Sequence, residues 1–508
     1  MEIFSVQEMK DLEIQANTSG LSFDRMMQNA GMGLASWVIN NFPVHKWQKV
    51  FALIGSGKNG SDTLIALSEL CRHGYYCMAF LARKRQPDNF SRDFELSGGS
   101  ILSDLETIKG IFSNRTIVLD GIIGTGFKPP MDEELQAQMS HVNQAILIHP
   151  ESTKVIAVDC PSGVDADLGS VSSATIKANY TACMGGVKSG LLKAPAINYC
   201  GEFIHIAIGI PQDLLNTRVY KSKMVGREFA RSLFLPRDST AHKGTFGKCV
   251  IFAGSRKYPG AAYLASKAAY LTGAGLVALV TEDIVQQLVA ARVPEVIWLS
   301  DTYGELKNEL SSYNSYLVGP GLDHTPDSAQ RFASALDIFK THSAQHKKRL
   351  ILDADGLRLL AMKKDWWLDL PPDAILTPHP GEMAELTGLS IEEIQAKRWE
   401  CAKLYAQKWQ KVIVLKGAPT VIADPAQNLA VIPIVTAALA TAGTGDVLAG
   451  VIAGLCAQEY DAFNACMLGA YIHANAGLLI EQHYHQTYSS NASEVLDFLP
   501  ASITETLK

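Results

Sequence analysis

The sequence predicts an α/β protein of two domains, each with helices packed on both faces of a mostly parallel sheet. Three observations carry this. The chain has 508 residues, more than one ordinary hydrophobic core accommodates. Short apolar runs that end in glycine or an acid recur along it, separated by stretches of helical periodicity, which is the pattern of buried parallel strands. The rhythm breaks between residues 212 and 239, where scattered charges and Pro236 interrupt it. The predicted division is therefore 1–211, a boundary region 212–239, and 240–508.

Taken in order, Val6 to Ala16 and Phe23 to Val38 are amphipathic and open the first domain as helices. Val50 to Ile54 is a β-rich run that ends in Gly55. Ala79-Phe80-Leu81 follows a helical stretch. Thr116 to Leu119 runs into Asp120-Gly121, and Val155 to Val158 into Asp159. Lys248 to Ala253 starts a second series, which continues through Tyr316 to Val318, Leu350 to Leu352, Ile375-Leu376 and Val412 to Leu415. In such sheets the loops at the carboxyl ends of the strands carry the ligands. There is no internal repeat and no low-complexity segment, and the polar stretch after His483 carries no predicted element.

Composition narrows the function classes. Hydrophobic residues are 47% and charged residues 19%, a globular balance. The net charge is -6 with no basic run, so nucleic acid and anionic membrane are not expected as partners. Nine cysteines without a Cys-x-x-Cys pair predict reduced thiols and a cytoplasmic location. Met1 is followed by Glu2, Glu8 and Asp11 rather than a signal-peptide pattern. No uninterrupted apolar run reaches bilayer-spanning length; Val447 to Cys456 is too short and rich in Gly and Ala.

The sharpest chemical signal is Thr441-Ala442-Gly443-Thr444-Gly445-Asp446-Val447, ahead of an apolar helical pattern. Glycines at a helix start expose backbone N–H groups where the helix dipole is positive, which suits a phosphate. The acid then stands beside that phosphate and can take a proton from an attacking hydroxyl. Gly254-Ser255, Gly319-Pro320-Gly321, Asp353-Ala354-Asp355, Thr377-Pro378-His379-Pro380-Gly381-Glu382 and Lys416-Gly417-Ala418-Pro419-Thr420 each follow a predicted strand. Individually these read equally well as turns, caps or surface charges. Together they would line one edge of one sheet.

In the first half, Gly55-Ser56-Gly57-Lys58-Asn59-Gly60-Ser61-Asp62 follows a strand and precedes a helix, a turn suited to pyrophosphate. Alone it is equally a plain turn. Asp120, Gly124-Thr125-Gly126-Phe127-Lys128 and Asp159-Cys160-Pro161-Ser162-Gly163 follow later strands. Asp120, Ser162 and Asn59 offer hard oxygen donors, suited to an alkali or other hard cation.

On the stretches His242 to Gly247, Gly273 to Val277, Gly319 to Leu322, Asp353 to Asp355, Leu376 to Glu382, Leu415 to Ala418 and Gly443 to Leu448, the second half resembles the dehydratase domain of the NAD(P)H-hydrate repair enzymes. On Met27 to Gly31, the Gly55 to Asp62 turn, Asp120-Gly121, Gly124 to Gly126 and Asp159 to Asp165, the first half resembles the epimerase domain of the same system. The resemblance implies a Rossmann-like three-layer sandwich followed by a ribokinase-like one. It implies interconversion of R and S hydrates of NADH and NADPH (NADHX, NADPHX) in the first domain. In the second it implies ADP-dependent dehydration of the S epimer to NAD(P)H, with AMP and phosphate released. Phosphorylating the C6 hydroxyl turns a poor leaving group into a good one.

The resemblance assigns Asp446 as the base. Thr444 and Gly445 would hold the transferring phosphate, Lys416, Gly417, Ala418, Pro419 and Thr420 the nucleotide with magnesium, and Ala262, Gly321 and His379 the hydrate. Asp323 stands where the family usually has glycine. In the epimerase domain it implies potassium on Asn59, Asp120 and Ser162. Substrate would lie on Lys58, Asn59, Gly60, Ser61, Asp62, Gly124, Thr125, Gly126, Phe127, Lys128, Pro129, Pro130 and Asp159. Asp159 would be the acid–base group, with Lys128 assisting. Lys58, Ser61 and Thr63 depart from the family's turn. The expected partners are these small molecules and, as a homo-oligomer, further copies of the chain. A small-molecule kinase of the ribokinase-like superfamily, or a dehydratase whose first domain only binds a ligand, stays open at this point.

Overall fold

The computed structural model describes residues 1–508 apart from 113, 218–220 and 344–347, and omits the side chains of 107, 109, 216 and 217. The chain forms two compact units, Met1–Met224 and Val225–Lys508. The division falls inside the predicted boundary region, of which 218–220 lie outside the described residues. The rest of that region is not bare linker. It carries helix Gln212–Thr217, strand Ser222–Met224 and helix Arg227–Leu233.

In the first unit the strands Ser100–Leu102, Tyr76–Leu81, Lys49–Ile54, Thr116–Gly121, Thr153–Val158, Tyr180–Met184 and Glu202–Ile206 lie side by side in that order, all parallel. Alternation along each strand divides the apolar residues between two cores. Val50, Ala52, Ile54, Ile117 and Leu119 pack with Met9, Leu12, Leu34, Val38 and Leu67 from helices Val6–Thr18, Phe23–Asn41 and Lys58–Arg72. Phe51, Leu53, Val118 and Val155 pack on the opposite face with Leu135, Met139 and Val142 of helix Glu133–Ile148. Burial on both faces explains why these strands read as continuous apolar runs. The chain lays its next two strands to one side of Lys49–Ile54 and then crosses to Thr116–Gly121 on the other. The crevice of a doubly wound sheet opens at such a reversal.

The second unit repeats the plan. Its strands run Leu429–Ile432, Thr420–Ala423, Val412–Leu415, Ile375–Leu376, Arg349–Leu352, Ser315–Val318, Lys248–Phe252, Leu276–Val280 and Ile297–Leu299. Those from Val412–Leu415 to Ile297–Leu299 are parallel; Thr420–Ala423 and Leu429–Ile432 add an antiparallel hairpin that the sequence pattern did not predict. Helices Pro259–Leu271, Thr444–Ala457 and Ala462–Tyr484 share one core with Ile251, Leu279, Leu317, Ile351 and Val414. The other face is covered in part by helix Pro326–Ser343, whose Phe339 ring meets Tyr316 edge-on at 5.2 Å. Here the order reverses between Lys248–Phe252 and Ser315–Val318.

Two helices go beyond what the sequence pattern predicted. Helix Ala462–Tyr484 is long and apolar enough to cross a membrane by length and composition, although no uninterrupted run predicted it, because Asn464, His473 and Asn475 break the run. Of its most apolar 18-residue window 78% lies buried, as in the core helix of a large α/β unit. The polar stretch after His483 leads into helix Ala492–Leu507, started by an Asn491–Glu494 capping box.

Candidate active site

In the second unit five parallel strands end at one crevice, and helix Thr444–Ala457 begins over it. Gly443, the residue before that helix, has φ +89°, a conformation costly to any side chain. No side chain caps the helix, and its first backbone bond runs from Val447 N–H to the Gly443 carbonyl at 3.2 Å. The preceding N–H groups are thus left for a ligand. Thr444 turns its hydroxyl inward, donating to the carbonyls of Leu439 and Thr441 at 2.9 Å each.

The helix start parts two cavities. One, of about 470 Å³, is walled by Tyr258, Ala261, Gly321, Asp355, Glu382 and Asp446, among others. The other, of about 270 Å³, is walled by Lys416, Gly417, Ala418, Thr420, Thr444 and Gly445, with an apolar end at Ile434, Leu439, Leu448 and Ala474. Asp446 therefore lines one chamber, and Thr444 and Gly445 line the other.

The charges converge at this partition. Lys416 Nζ lies 2.7 Å from Asp353 Oδ1 and 3.5 Å from Glu382 Oε2. A Cβ on Gly445 would stand 3.5 Å from that ammonium, so Lys416 reaches the helix start. Burial alone would push the Lys416 ammonium down; Asp353 and Glu382 outweigh it and hold its pKa above the ordinary lysine value. Burial raises Asp446 to about 7, with Asp353 adding to the rise and Lys416 opposing it. Burial likewise raises Glu382 to about 7 against the pull of Lys416. A carboxylate poised near neutrality is the right strength for a base that must accept a proton and later release it.

The other expected residues fall as follows. Gly321 lines the larger cavity. Ala262 does not; Ala261 forms the wall, and Ala262, one helical step round, is fully buried against Gly254. Pro419 is outside the lining of the smaller cavity. His379 caps helix Pro380–Thr387, its Nδ1 accepting N–H bonds from Gly381 and Glu382 at 2.9 and 3.2 Å. Burial, Lys416 and Arg358 all depress its pKa, so the ring is a neutral support for Glu382 beside the cavity rather than part of its wall. Asp323 takes up φ +63° in the loop after Gly321, its N–H bonded to Asp355 Oδ2 at 2.8 Å. Sequence reasoning missed Arg398. Its Nη2 donates to the carbonyls of Leu415, Lys416 and Pro419 at 3.1, 3.2 and 3.1 Å, pinning the loop that walls the smaller cavity.

In the first unit the turn Gly55–Gly57 leads into helix Lys58–Arg72, again without a side-chain cap. Arg85, also missed, holds it: Nη1 donates to the Gly55 carbonyl at 3.0 Å and Nη2 to the Ser61 hydroxyl at 2.6 Å. A Cβ on Gly60 would sit 2.1 Å from the Gly55 carbonyl, so only glycine fits. Ser61 and Thr63 are buried, and the Thr63 hydroxyl donates to the Asn59 carbonyl at 2.7 Å. Both departures from the family turn therefore point into the protein. Lys58 lies over the Phe23 ring at 4.8 Å and, with Asp62 and Glu13, lines a small cavity of about 60 Å³. Burial, then the Asp159 charge, pushes the Asp62 carboxyl well above the usual range.

Asp120 is fully buried, its Oδ1 accepting the Ser162 hydroxyl at 2.5 Å and its Oδ2 the Ser162 N–H at 2.8 Å. Asn59 packs against Gly124, and its Nδ2 is buried without a hydrogen-bond partner among the described residues. Gly124 and Thr125 are half-buried, Gly126, Lys128, Pro129 and Pro130 exposed, and Phe127 buried. Asp159 takes φ +65°, and its Oδ1 accepts the Met184 N–H at 3.0 Å and the ammonium of Lys188. Lys188 is almost wholly buried and also donates to the carbonyls of Met184 and Gly186. Lys128 instead pairs with Asp165 at 3.0 Å. The cation on Asp159 is thus Lys188, which the motifs did not single out.

These features define a class: a two-domain α/β enzyme with a candidate site at the strand-order reversal of each sheet, one of them at an uncapped helix start of the kind that suits phosphate. Comparison with known proteins makes the class specific. The NAD(P)H-hydrate dehydratase family model matches residues 249–500, and that of the YjeF-related protein N-terminus matches 23–190. The bifunctional NAD(P)H-hydrate repair enzyme of Moorella thermoacetica is 32% identical, over 94% of this chain and 91% of its own. That of Coxiella burnetii is 30% identical, over 93% and 94%. A crystal structure of the ADP/ATP-dependent NAD(P)H-hydrate dehydratase of Bacillus subtilis is 35% identical and covers 56% of this chain and 98% of that one, with a TM-score of 0.49. The chain belongs to the family of bifunctional NAD(P)H-hydrate repair enzymes.

Proposed function

We propose that the second unit dehydrates S-NADHX and S-NADPHX with ADP and that the first interconverts the R and S epimers. The observation that carries the dehydratase reading is the partition at Gly443–Asp446, with a carboxylate on one side and the uncapped helix start at Thr444 and Gly445 on the other. The hydrate lies in the larger cavity with its C6 hydroxyl on Asp446. ADP lies in the smaller one, its base at the apolar end and its terminal phosphate at the Thr444 and Gly445 amides. Asp446 takes the hydroxyl proton as that oxygen forms a bond to the terminal phosphorus, and AMP leaves. Lys416 and the helix start hold the charge that develops on the phosphoryl oxygens. The C6–O bond of the phosphate ester then breaks with loss of a C5 proton, and the C5–C6 double bond of NAD(P)H returns. Magnesium fits as an ion brought in on the nucleotide's phosphates: Asp353 Oδ2 is buried without a hydrogen-bond partner, and the described residues contain no cluster of three or more His, Cys, Asp or Glu that could form a protein cage.

In the first unit, C6 carries both hydroxyl and ring nitrogen, so the nitrogen lone pair helps expel water and leaves a planar carbon. Water returns to either face. Asp159, ion-paired to Lys188, takes the proton of the incoming water, and Asp62, whose pKa burial and the Asp159 charge push upward, is placed to supply one to the departing hydroxyl. The oxygens of Asn59, Asp120 and Ser162, gathered at the same strand ends, suit a hard monovalent ion such as potassium. The unpartnered Asn59 Nδ2 is a donor and suits an acceptor oxygen of the substrate rather than the ion.

Separated R and S NADHX, given ADP and magnesium, test both halves by the return of NADH absorbance. Recovery from both epimers, faster than spontaneous epimerisation, is expected. Recovery from S alone refutes the epimerase half; recovery from neither refutes the dehydratase.

Arg398→Ala frees three carbonyls of the nucleotide loop and is expected to raise KM for ADP by roughly ten-fold, with a smaller change in kcat. Lysine at 398 would rescue this poorly, because an ammonium lacks the guanidinium fork. An unchanged KM would show that the loop holds its shape without Arg398.

A further inference from the structure

The substrate of the dehydratase is a dinucleotide, yet the chemistry uses only its hydrated ring. The half that does not react must lie outside the cavity that holds Asp446. A second cleft, of about 410 Å³, is lined by His324, Arg358, Ala361, Met362 and Glu385. Arg358 belongs to both linings, so the cleft and the catalytic cavity meet at its guanidinium.

That guanidinium is loosely held. Its ion pairs to Asp355 and Glu385 are long, at 3.9 and 3.6 Å, and its Nε has no hydrogen-bond partner among the described residues. Its side chain is 40% exposed. An arginine without a settled protein acceptor, at the mouth of a site for an anionic molecule, presents the planar fork that matches phosphate oxygens. Beyond it the Met362 side chain stands 74% exposed on the last turn of this segment. A thioether is a soft, adaptable surface for the face of an aromatic ring. His324 is drawn to Asp355 at 3.3 Å, which leaves Arg358 as the one permanently cationic group among the described residues that line the cleft, opposite the Glu385 carboxylate.

We propose that this cleft holds the adenylate half of the hydrated dinucleotide, with Arg358 on the pyrophosphate at the junction and Met362 against the adenine. The assignment rests on the dehydratase reading of the adjoining cavity. The ring end then points to Asp446 while the adenylate anchors the molecule from outside. The anchor contributes binding energy remote from the reacting carbon.

The test compares S-NADHX with the S hydrate of dihydronicotinamide riboside, which keeps the reacting ring and lacks both pyrophosphate and adenylate. The wild-type protein is expected to prefer the dinucleotide in kcat/KM. Arg358→Ala is expected to lower kcat/KM for NADHX about 10- to 100-fold, chiefly through KM, and to cost the riboside hydrate at least ten times less. Met362→Glu sits on the surface away from Asp446 and is expected to raise KM for NADHX several-fold, with kcat retained. Equal losses on both substrates in Arg358→Ala would mean that Arg358 acts through the Asp355 and His379 cluster, and would overturn the proposal. So would an unchanged KM for NADHX in both variants. Turnover of neither hydrate by the wild-type protein would instead refute the dehydratase reading, and the cleft assignment would fall with it.

Discussion

Asp446→Asn is expected to lower kcat for dehydration of S-NADHX by roughly 10²- to 10⁴-fold while leaving epimerisation untouched. The amide keeps the shape of the carboxylate and cannot accept the C6 hydroxyl proton. Because burial holds Asp446 at about 7, kcat/KM of the wild-type protein should climb with pH and level off above neutrality. The residual activity of the variant should lack that limb. Stability should move the other way. A carboxyl whose pKa is raised on folding binds its proton more tightly in the native state. Its contribution is therefore present below about pH 4 and is lost as pH rises toward 7. Asp446→Asn should consequently gain stability over the wild-type chain between these values and keep the gain above them. Denaturant melts at pH 5 and pH 8, beside initial rates, check both signs. Loss of both activities in a folded variant would break the division of labour between the two units.

Asp159→Ala should abolish epimerisation and destabilise the first unit by about 3–5 kcal/mol, because the buried Lys188 ammonium is left without its counter-charge. The two effects are separable. The double variant Asp159→Asn with Lys188→Met removes the uncompensated charge and should recover most of the stability, yet remain unable to interconvert R and S NADHX. Dehydration of the S epimer in the same preparation reports whether the second unit is intact. If the double variant regains epimerisation, the pair is structural and the proton is handled elsewhere, with Asp62 the first alternative.

What the sequence made legible was local. A glycine-rich turn ahead of a helix declares itself within seven residues, and so Gly443–Asp446 and Gly55–Asp62 could be placed at helix starts from the sequence. Strands buried on both faces, such as Val50–Ile54 and Val412–Leu415, were legible because continuous apolar runs leave few other readings. The residues that escaped notice act across the chain. Arg85 and Arg398 serve backbone carbonyls up to 30 residues away, and a bond to a carbonyl leaves no mark on the identity of its acceptor. Lys188 sits 29 residues from Asp159, on a short strand with no motif around it. Ala261 and Ala262 differ only by a helical rotation of about 100°, which decides which one faces the cavity. The inward turn of Ser61 and Thr63 depended on Arg85 and on the Asn59 carbonyl, neither of which the turn itself announces.

The wall at Gly443–Asp446 also bears on the order of events. If nucleotide and hydrate take the two chambers proposed above, neither has to pass through the other's seat. Either is then expected to arrive first, and initial rates with both substrates varied should follow a random ternary-complex scheme rather than a compulsory sequence.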